Sequence, residues 1–297
     1  MNVHGKCVLL TGASSGIGRA LARELGGKRS RLAIAARQVN LLEDVAGEIE
    51  RAGGARPAVL GTDLANRGEA ARLARRAVEE LGAIDVLVNN AGGGAGGTQW
   101  MVGDRDEARE MFEVNYWSPL ALIQELVPPM RERGEGAVVN VTSLAQVTIM
   151  GGLGHYCSSK AALARATEAL RLEGHGSGVQ VLEAIVGPTD TAIQGESRLV
   201  PGFKEATRGI RLGKPEELAR LIVRALERGK KRLVYPRMLA PTYTLPFIAR
   251  AREARLAVRL APLLDTEDPR VMRGGSFGDE EARAARAAWE REKSSAR

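Results

Sequence analysis

Four residues carry side chains able to move a proton or to hold an oxygen in place: Asn115, Ser143, Tyr156 and Lys160. Tyr156 and Lys160 lie four apart in a stretch with helical apolar spacing, so both project from one face. A free phenol titrates near about 10, too high for a base at neutral pH. A neighbouring ammonium favours the phenolate and lowers that value. A phenol tuned in this way can pass a proton to or from a substrate oxygen. Ser143, at the end of an apolar run upstream, is placed to hydrogen-bond the same oxygen. Asn115 interrupts a long helical stretch in which asparagine is a poor choice on propensity. A side chain that loosens the helix and holds a water accounts for it. A Tyr–Lys pair at this spacing is by itself more often an ordinary half-buried pair, so the meaning of the four depends on the elements that bring them together.

The first such element is Thr11-Gly12-Ala13-Ser14-Ser15-Gly16-Ile17-Gly18, between an apolar run at residues 7–10 and a helical pattern at 19–25. Three glycines clear side chains from a place where a phosphate-bearing ligand can approach the backbone, and the N–H groups at a helix start attract anions. The spacing is G-x-x-x-G-x-G, not the commoner G-x-G-x-x-G. Many strand-to-helix turns carry glycine for steric reasons alone; position at the first strand–helix junction of an alternating chain favours a cofactor. Arg37 follows the second apolar run, where an acidic residue would accept hydrogen bonds from ribose hydroxyls and favour NAD. A guanidinium there can clamp a 2′-phosphate, which favours NADP(H); otherwise it is a surface arginine opening the next helix.

Apolar runs at residues 31–36, 57–62, 84–88, 137–142, 179–186 and 232–235 alternate with helical patterns near 41–49, 67–81, 106–131, 156–173 and from Pro215. Mostly apolar strands alternating with helices predict an α/β fold with a doubly wound parallel sheet. Such sheets bind ligands at the C-terminal ends of their strands. Arg37, Asp63, Asn89-Asn90-Ala91-Gly92, Ser143 and Gly187-Pro188 all fall at such ends. Asp63 also suits a helix cap.

The motifs Thr11-Gly-x-x-x-Gly-x-Gly18, Asn89-Asn-Ala-Gly92, Asn115, Ser143 and Tyr156-x-x-x-Lys160 resemble the short-chain dehydrogenase/reductase family in its single-domain form, over about residues 3–236. The resemblance implies a seven-stranded Rossmann-type sheet and a nicotinamide cofactor. It implies Tyr156 as catalytic acid/base, Ser143 as partner of the substrate oxygen, Lys160 as ribose ligand and tuner of Tyr156, and Asn115 as holder of a relay water. The cofactor contacts it implies are Gly12, Ser14, Ser15, Gly16, Ile17, Gly18, Arg37, Asp63, Leu64, Asn90, Ala91, Gly92, Tyr156, Lys160, Gly187, Pro188, Thr189 and Thr191. Asp63 and Asn90 fall toward the adenosine half, Thr189 and Thr191 toward the nicotinamide. Two places depart from the family pattern without removing a catalytic group: Val186-Gly187-Pro188 in place of a Pro-Gly ending, and Tyr156-Cys157-Ser158-Ser159-Lys160 in place of Tyr-x-Ala-Ser-Lys.

The function expected is an NADP(H)-dependent interconversion of a carbonyl and an alcohol, with a lipid or steroid alcohol dehydrogenase as the alternative. The rival from another class is a non-catalytic nucleotide-binding or scaffold protein, against which the intact Ser143, Tyr156 and Lys160 argue. Residues 92–101, 144–153 and 192–211 are expected to wall the substrate pocket, the last as a lid whose apolar content hints at a hydrophobic substrate. The resemblance also implies a homo-dimer or homo-tetramer through the Asn115 and Tyr156 helices.

Two cysteines and three scattered histidines give no disulfide framework and no metal-ligand set. The first strand begins close to Met1, which predicts no secretory leader and a cytoplasmic setting. No apolar run is long enough to span a bilayer. The net charge of +7 is uneven: residues 1–227 are neutral, 228–264 carry nine basic residues against one acidic, and 265–297 are net −1. A basic surface of the whole domain, as nucleic-acid binding requires, is therefore not indicated. The expected division is a catalytic domain over 1–236 and a C-terminal extension over 237–297. From Phe247 the extension reads as a basic helix with a leucine flank. Such a helix either lies weakly on an anionic membrane surface or packs on the domain; the Ala-rich stripe favours packing.

Overall fold

The structure is a computed structural model that describes residues 1–94, 96–149, 151–191, 211–251 and 253–255. The expected lid, except Arg211, and the leucine flank and tail from residue 256 lie outside the described residues.

Seven strands form one sheet: β1 (Cys7–Thr11), β2 (Arg31–Ala36), β3 (Ala58–Gly61), β4 (Val86–Asn89), β5 (Gly136–Ser143), β6 (Val179–Val186) and β7 (Arg232–Tyr235). Their order is β3-β2-β1-β4-β5-β6-β7, with every pairing parallel. The order reverses between β1 and β4, the switch point beside which such sheets open a crevice.

Apolar runs rather than alternation are the consequence of burying both faces. In β1, Val8 and Leu10 enter one core layer while Leu9 enters the other, and all three are fully buried. The first layer is closed by α1 (Gly16–Gly27), α2 (Val39–Arg51) and α8 (Pro215–Glu227). The second is closed by α3 (Glu69–Leu81), α6 (Ser118–Arg133) and α7 (Gly154–Glu173).

The expected single helix over 106–131 is segmented. After the short α4 (Gln99–Val102) comes α5 (Asp106–Phe112), then a π-helical stretch Glu113–Trp117 around Asn115, then α6, which continues to Arg133. Pro128 and Pro129 lie inside α6 without ending it. The carbonyls they leave without donors, at Gln124 and Glu125, belong to exposed residues that water can reach.

Beyond β7 the chain turns through Arg237–Leu239 and α9 (Ala240–Thr244), where the Tyr243 ring stacks on Arg232 with 5.9 Å between guanidinium carbon and ring centroid. Arg232 in turn pairs with the buried Glu183 of β6 at 3.2 Å. After Leu245 the backbone is helical again through the described residues of 246–255. Among the described residues no helix is long and apolar enough to cross a membrane.

Candidate active site

The glycine-rich turn after β1 is held by Thr11 and Asn90. Thr11 Oγ1 donates to Val88 O at 3.2 Å and accepts from the N–H groups of Asn90 at 3.1 Å and Ala91 at 3.0 Å. Asn90 Nδ2 donates to Thr11 O at 2.9 Å and to Gly12 O at 3.2 Å. Gly12 has φ +69°, open to glycine without strain. A Cβ on Gly18 would overlap Gly12 O and come within 2.6 Å of Asn90 Nδ2, so a side chain there is excluded. Gly16 faces Thr191, whose Cγ2 would be 3.1 Å from an added Cβ. The loop after β6 therefore meets the turn after β1. Ser15 precedes α1 in extended conformation without capping it, and the first turn of α1 has no acidic side chain. Ser14 and Ile17 flank the same turn half-buried. The residues present fit an anionic cofactor: a close-approach backbone with helix N–H groups directed into the crevice.

The loop after β4 links this turn to the proton-handling groups. Gly92 lies where an added Cβ would be 3.0 Å from both Asn115 Oδ1 and Lys160 Nζ. Asn115 is fully buried. Its Oδ1 accepts from Gly93 N at 3.0 Å, and its Nδ2 donates to Gly93 O at 2.8 Å and to Ser159 Oγ at 3.0 Å. Ser159 Oγ donates to Tyr156 O at 2.9 Å. The widened helical turn is as expected of this position, and the Asn115 side chain braces the glycine loop against α7.

Ser143 ends β5, and its Oγ accepts from Ala145 N at 3.2 Å. It also hydrogen-bonds the Tyr156 phenol. Burial pushes that phenol above its ordinary value, and the Ser143 bond pulls against the rise. Lys160, 5% exposed, donates from Nζ to Val141 O at 3.2 Å. Burial lowers its ammonium to about 8. Burial of Tyr156, with a smaller push from Cys157, thus outweighs the lowering by Ser143, while burial alone lowers Lys160. Gly94 passes over the Tyr156 ring, 3.8 Å from an added Cβ.

The remaining residues follow the C-terminal ends of β2, β3 and β6. Gly187 N donates to Tyr235 O at 2.7 Å, Pro188 O accepts from Gly213 N at 2.9 Å, and Thr189 is buried in a parallel bridge with Gly213. Thr191 Oγ1 donates to Thr189 O at 3.4 Å. Arg37, Asp63 and Leu64 sit further out, after β2 and β3. Arg37 is exposed and follows Ala36, so no carboxylate ends β2. Asp63 does not cap α3, whose N-cap is Gly68; its Oδ1 accepts from Ala65 N at 3.1 Å, closing a turn. Leu64 is buried, and its carbonyl accepts from Ser118 Oγ at 2.8 Å. Sequence reasoning missed Ser159 as a partner of Asn115 and Thr11 as the node of the turn. Thr11 is visible as a hydroxyl at a strand end and Ser159 as the serine of the Tyr-x-Ala-Ser-Lys pattern, but neither position reveals its partner.

The model of the short chain dehydrogenase family matches residues 6–200. The chain belongs to the short-chain dehydrogenase family. This short-chain dehydrogenase is 34% identical over 226 residues to glycine betaine reductase ATRR of Emericella nidulans, a match covering 75% of the chain but 18% of that protein. It is 32% identical to ketoacyl reductase HetN of a Nostoc species, over 75% of the chain and 76% of HetN. Among solved structures it resembles a short-chain dehydrogenase/reductase from Burkholderia phymatum in complex with NAD, with TM-score 0.73 and 26% identity, covering 82% of the chain and 94% of that one. It also resembles a metagenomic short-chain oxidoreductase in complex with NADP, with TM-score 0.65 and 26% identity, over 79% and 97%. The family is one of NAD(P)-using oxidoreductases, and the crevice at the β1/β4 switch point matches that use.

Proposed function

We propose that this chain is an NADP(H)-dependent oxidoreductase that interconverts a carbonyl and an alcohol on a hydrophobic substrate. The observation that carries the reading is the convergence of Ser143, Tyr156 and Lys160 at the C-terminal end of β5, one loop away from the glycine turn. A bound nicotinamide supplies or takes up the hydride at the substrate carbon. Tyr156 exchanges the proton on the substrate oxygen through its phenol. Ser143, whose Oγ accepts from Ala145 N, keeps its hydroxyl hydrogen for the phenol or for that oxygen. Lys160 holds positive charge inside the crevice next to the backbone of Gly92, where a ribose hydroxyl can reach it. Residues 12–18, 90–92 and 187–191 form the cofactor cradle, with Asp63 and Leu64 toward its adenosine end. Arg37, exposed at the end of a strand that lacks a carboxylate, supports NADP(H) over NAD(H).

The apolar Leu144, Val147, Ile149 and Leu153 beside Ser143 and Tyr156 support an apolar substrate. Trp117, exposed beside Tyr116 with ring centroids 4.7 Å apart, supports pairing of chains through the Asn115 and Tyr156 helices into a dimer or tetramer. The two cysteines, Cys7 and Cys157, both buried, support a reducing, cytoplasmic setting.

The test is NADPH oxidation across a panel of ketones and aldehydes that includes long-chain and steroidal ones, with Tyr156→Phe in parallel. Turnover of at least one carbonyl by the wild type, falling by about three decades or more in Tyr156→Phe, is the expected result. Near-wild-type kcat in the variant overturns the assignment.

A further inference from the structure

Three consecutive residues at the end of β5 each hold a group from elsewhere in the chain. Val141 O accepts from Lys160 Nζ at 3.2 Å, and Ser143 Oγ bonds the Tyr156 phenol. Thr142, between them, is buried and reaches across to β6. Its Oγ1 donates to Glu183 Oε1 at 3.2 Å, with Ala184 O a longer second acceptor at 3.5 Å. The same oxygen accepts from Gln146 Nε2 at 3.3 Å. Gln146 closes the turn Leu144–Gln146, which Ser143 Oγ caps through Ala145 N. Thr142 therefore fastens the chain on both sides of Ser143.

Glu183 is 1% exposed on an inner strand of the sheet. Val181 and Ile185, its neighbours on the same face, are apolar. A carboxylate in that place loses its water shell and is costly unless its oxygens are bonded. It also gives the network a direction. A carboxylate can only accept, and a hydroxyl has a single hydrogen. Glu183 thus draws the Thr142 hydrogen towards β6 and leaves the lone pairs of Thr142 to the Gln146 amide. An apolar residue at this register would fill the space without imposing that direction.

The other carboxylate oxygen leads to the helix that carries Tyr156. Glu183 Oε2 accepts from Arg232 Nε at 3.2 Å, and Arg232 Nη2 pairs with Glu168 of α7. Glu168 lies about three turns beyond Tyr156 on that helix. The Tyr243 ring covers the Arg232 guanidinium. A route from β5 to α7 thus runs through Thr142, Glu183, Arg232 and Glu168, beside the direct meeting of Ser143 with Tyr156. We propose that Glu183 is a positioning residue, which sets Ser143 against Tyr156 by anchoring Thr142 on one side and the Arg232 bridge to α7 on the other. The proposal rests on the reading of Ser143 and Tyr156 as the proton-handling pair. Glu183 acts through Thr142 and Arg232, not on the substrate.

The chain has four tyrosines, so the Tyr156 ζ-carbon resonance of isotope-labelled full-length protein is identified by its loss in Tyr156→Phe. Its position at neutral pH reports the Ser143 bond, and Ser143→Ala sets the displacement that follows when the bond is gone. Thr142→Val keeps the volume and removes the hydroxyl. Glu183→Gln keeps the shape and replaces one acceptor oxygen by a donor. Both are expected to move the resonance in the direction of Ser143→Ala, and Thr142→Ser to return it towards wild type. In turnover, kcat should fall about tenfold in both while the Kd for NADPH is unchanged, because a displaced reacting group acts on the chemical step. The resonance is read without turnover, so its result stands apart from whether a carbonyl is reduced. A carboxylate that only stabilises the fold predicts a lower melting temperature with the resonance in place. A folded Thr142→Val or Glu183→Gln whose Tyr156 resonance matches wild type overturns the proposal. So does a Thr142→Ser that behaves like Thr142→Val, or NADPH affinity lost in step with kcat.

Discussion

Replacing Lys160 with methionine should remove activity and yet stabilise the protein at neutral pH. Lys160 is almost fully buried, with Nζ on Val141 O and close to Gly92 and Asn115. Burial lowers its ammonium from 10.5 to about 8. That difference corresponds to roughly 3 kcal/mol of cost for the charged form, present in full below about pH 8. The sign follows from proton counting. Between about 8 and 10.5 the unfolded chain holds the proton and the folded chain has lost it, so wild-type stability rises with pH across that window. Methionine keeps most of the volume and loses the bond to Val141 O, worth about 1 kcal/mol. The net expectation is a gain of about 1–2 kcal/mol for Lys160→Met near pH 7. It shrinks by about 2 kcal/mol by about pH 9.5 and reverses there. Guanidinium unfolding followed by tryptophan fluorescence at several pH values measures the difference. A difference that stays constant across this range, or a variant less stable than wild type at neutral pH, refutes the account of Lys160 as a desolvated ammonium.

Arg37→Ala should weaken NADPH binding by about tenfold or more while leaving NADH little changed, read by titration of each cofactor; equal losses exclude a 2′-phosphate contact. Gly18→Ala places a Cβ on Gly12 O and beside Asn90 Nδ2. It should cost about 1–3 kcal/mol in thermal unfolding and abolish cofactor binding, and a fully stable, binding-competent variant contradicts the packing described for the turn.

The sequence by itself determined the sheet, because its signals are local. Mostly apolar runs at 31–36, 179–186 and 232–235 coincide with β2, β6 and β7 to the residue, since a strand buried on both faces admits little else. Glycines at 12, 16 and 18 announced a turn that only such residues can make. The order of motifs sufficed to place Ser143, Tyr156 and Lys160 at one end of the sheet, because parallel strands bring all their C-terminal ends together. The tertiary structure decided what depends on partners distant in the chain. That Asn115 also braces a loop against a helix is visible only in its contacts with Gly93 and Ser159. Asp63 suited a helix cap; the distance to Gly68 leaves it closing a turn instead. The Tyr156 phenol was expected to be lowered by Lys160. Its own burial raises it, and desolvation is a property of the packed fold that no spacing of residues records. The extension beyond β7 shows the same division. Its basic, apolar composition is written in the sequence, but which face turns inward was fixed by the backbone groups of Val147 and Ile149, about a hundred residues away, which Arg250 and Glu253 satisfy.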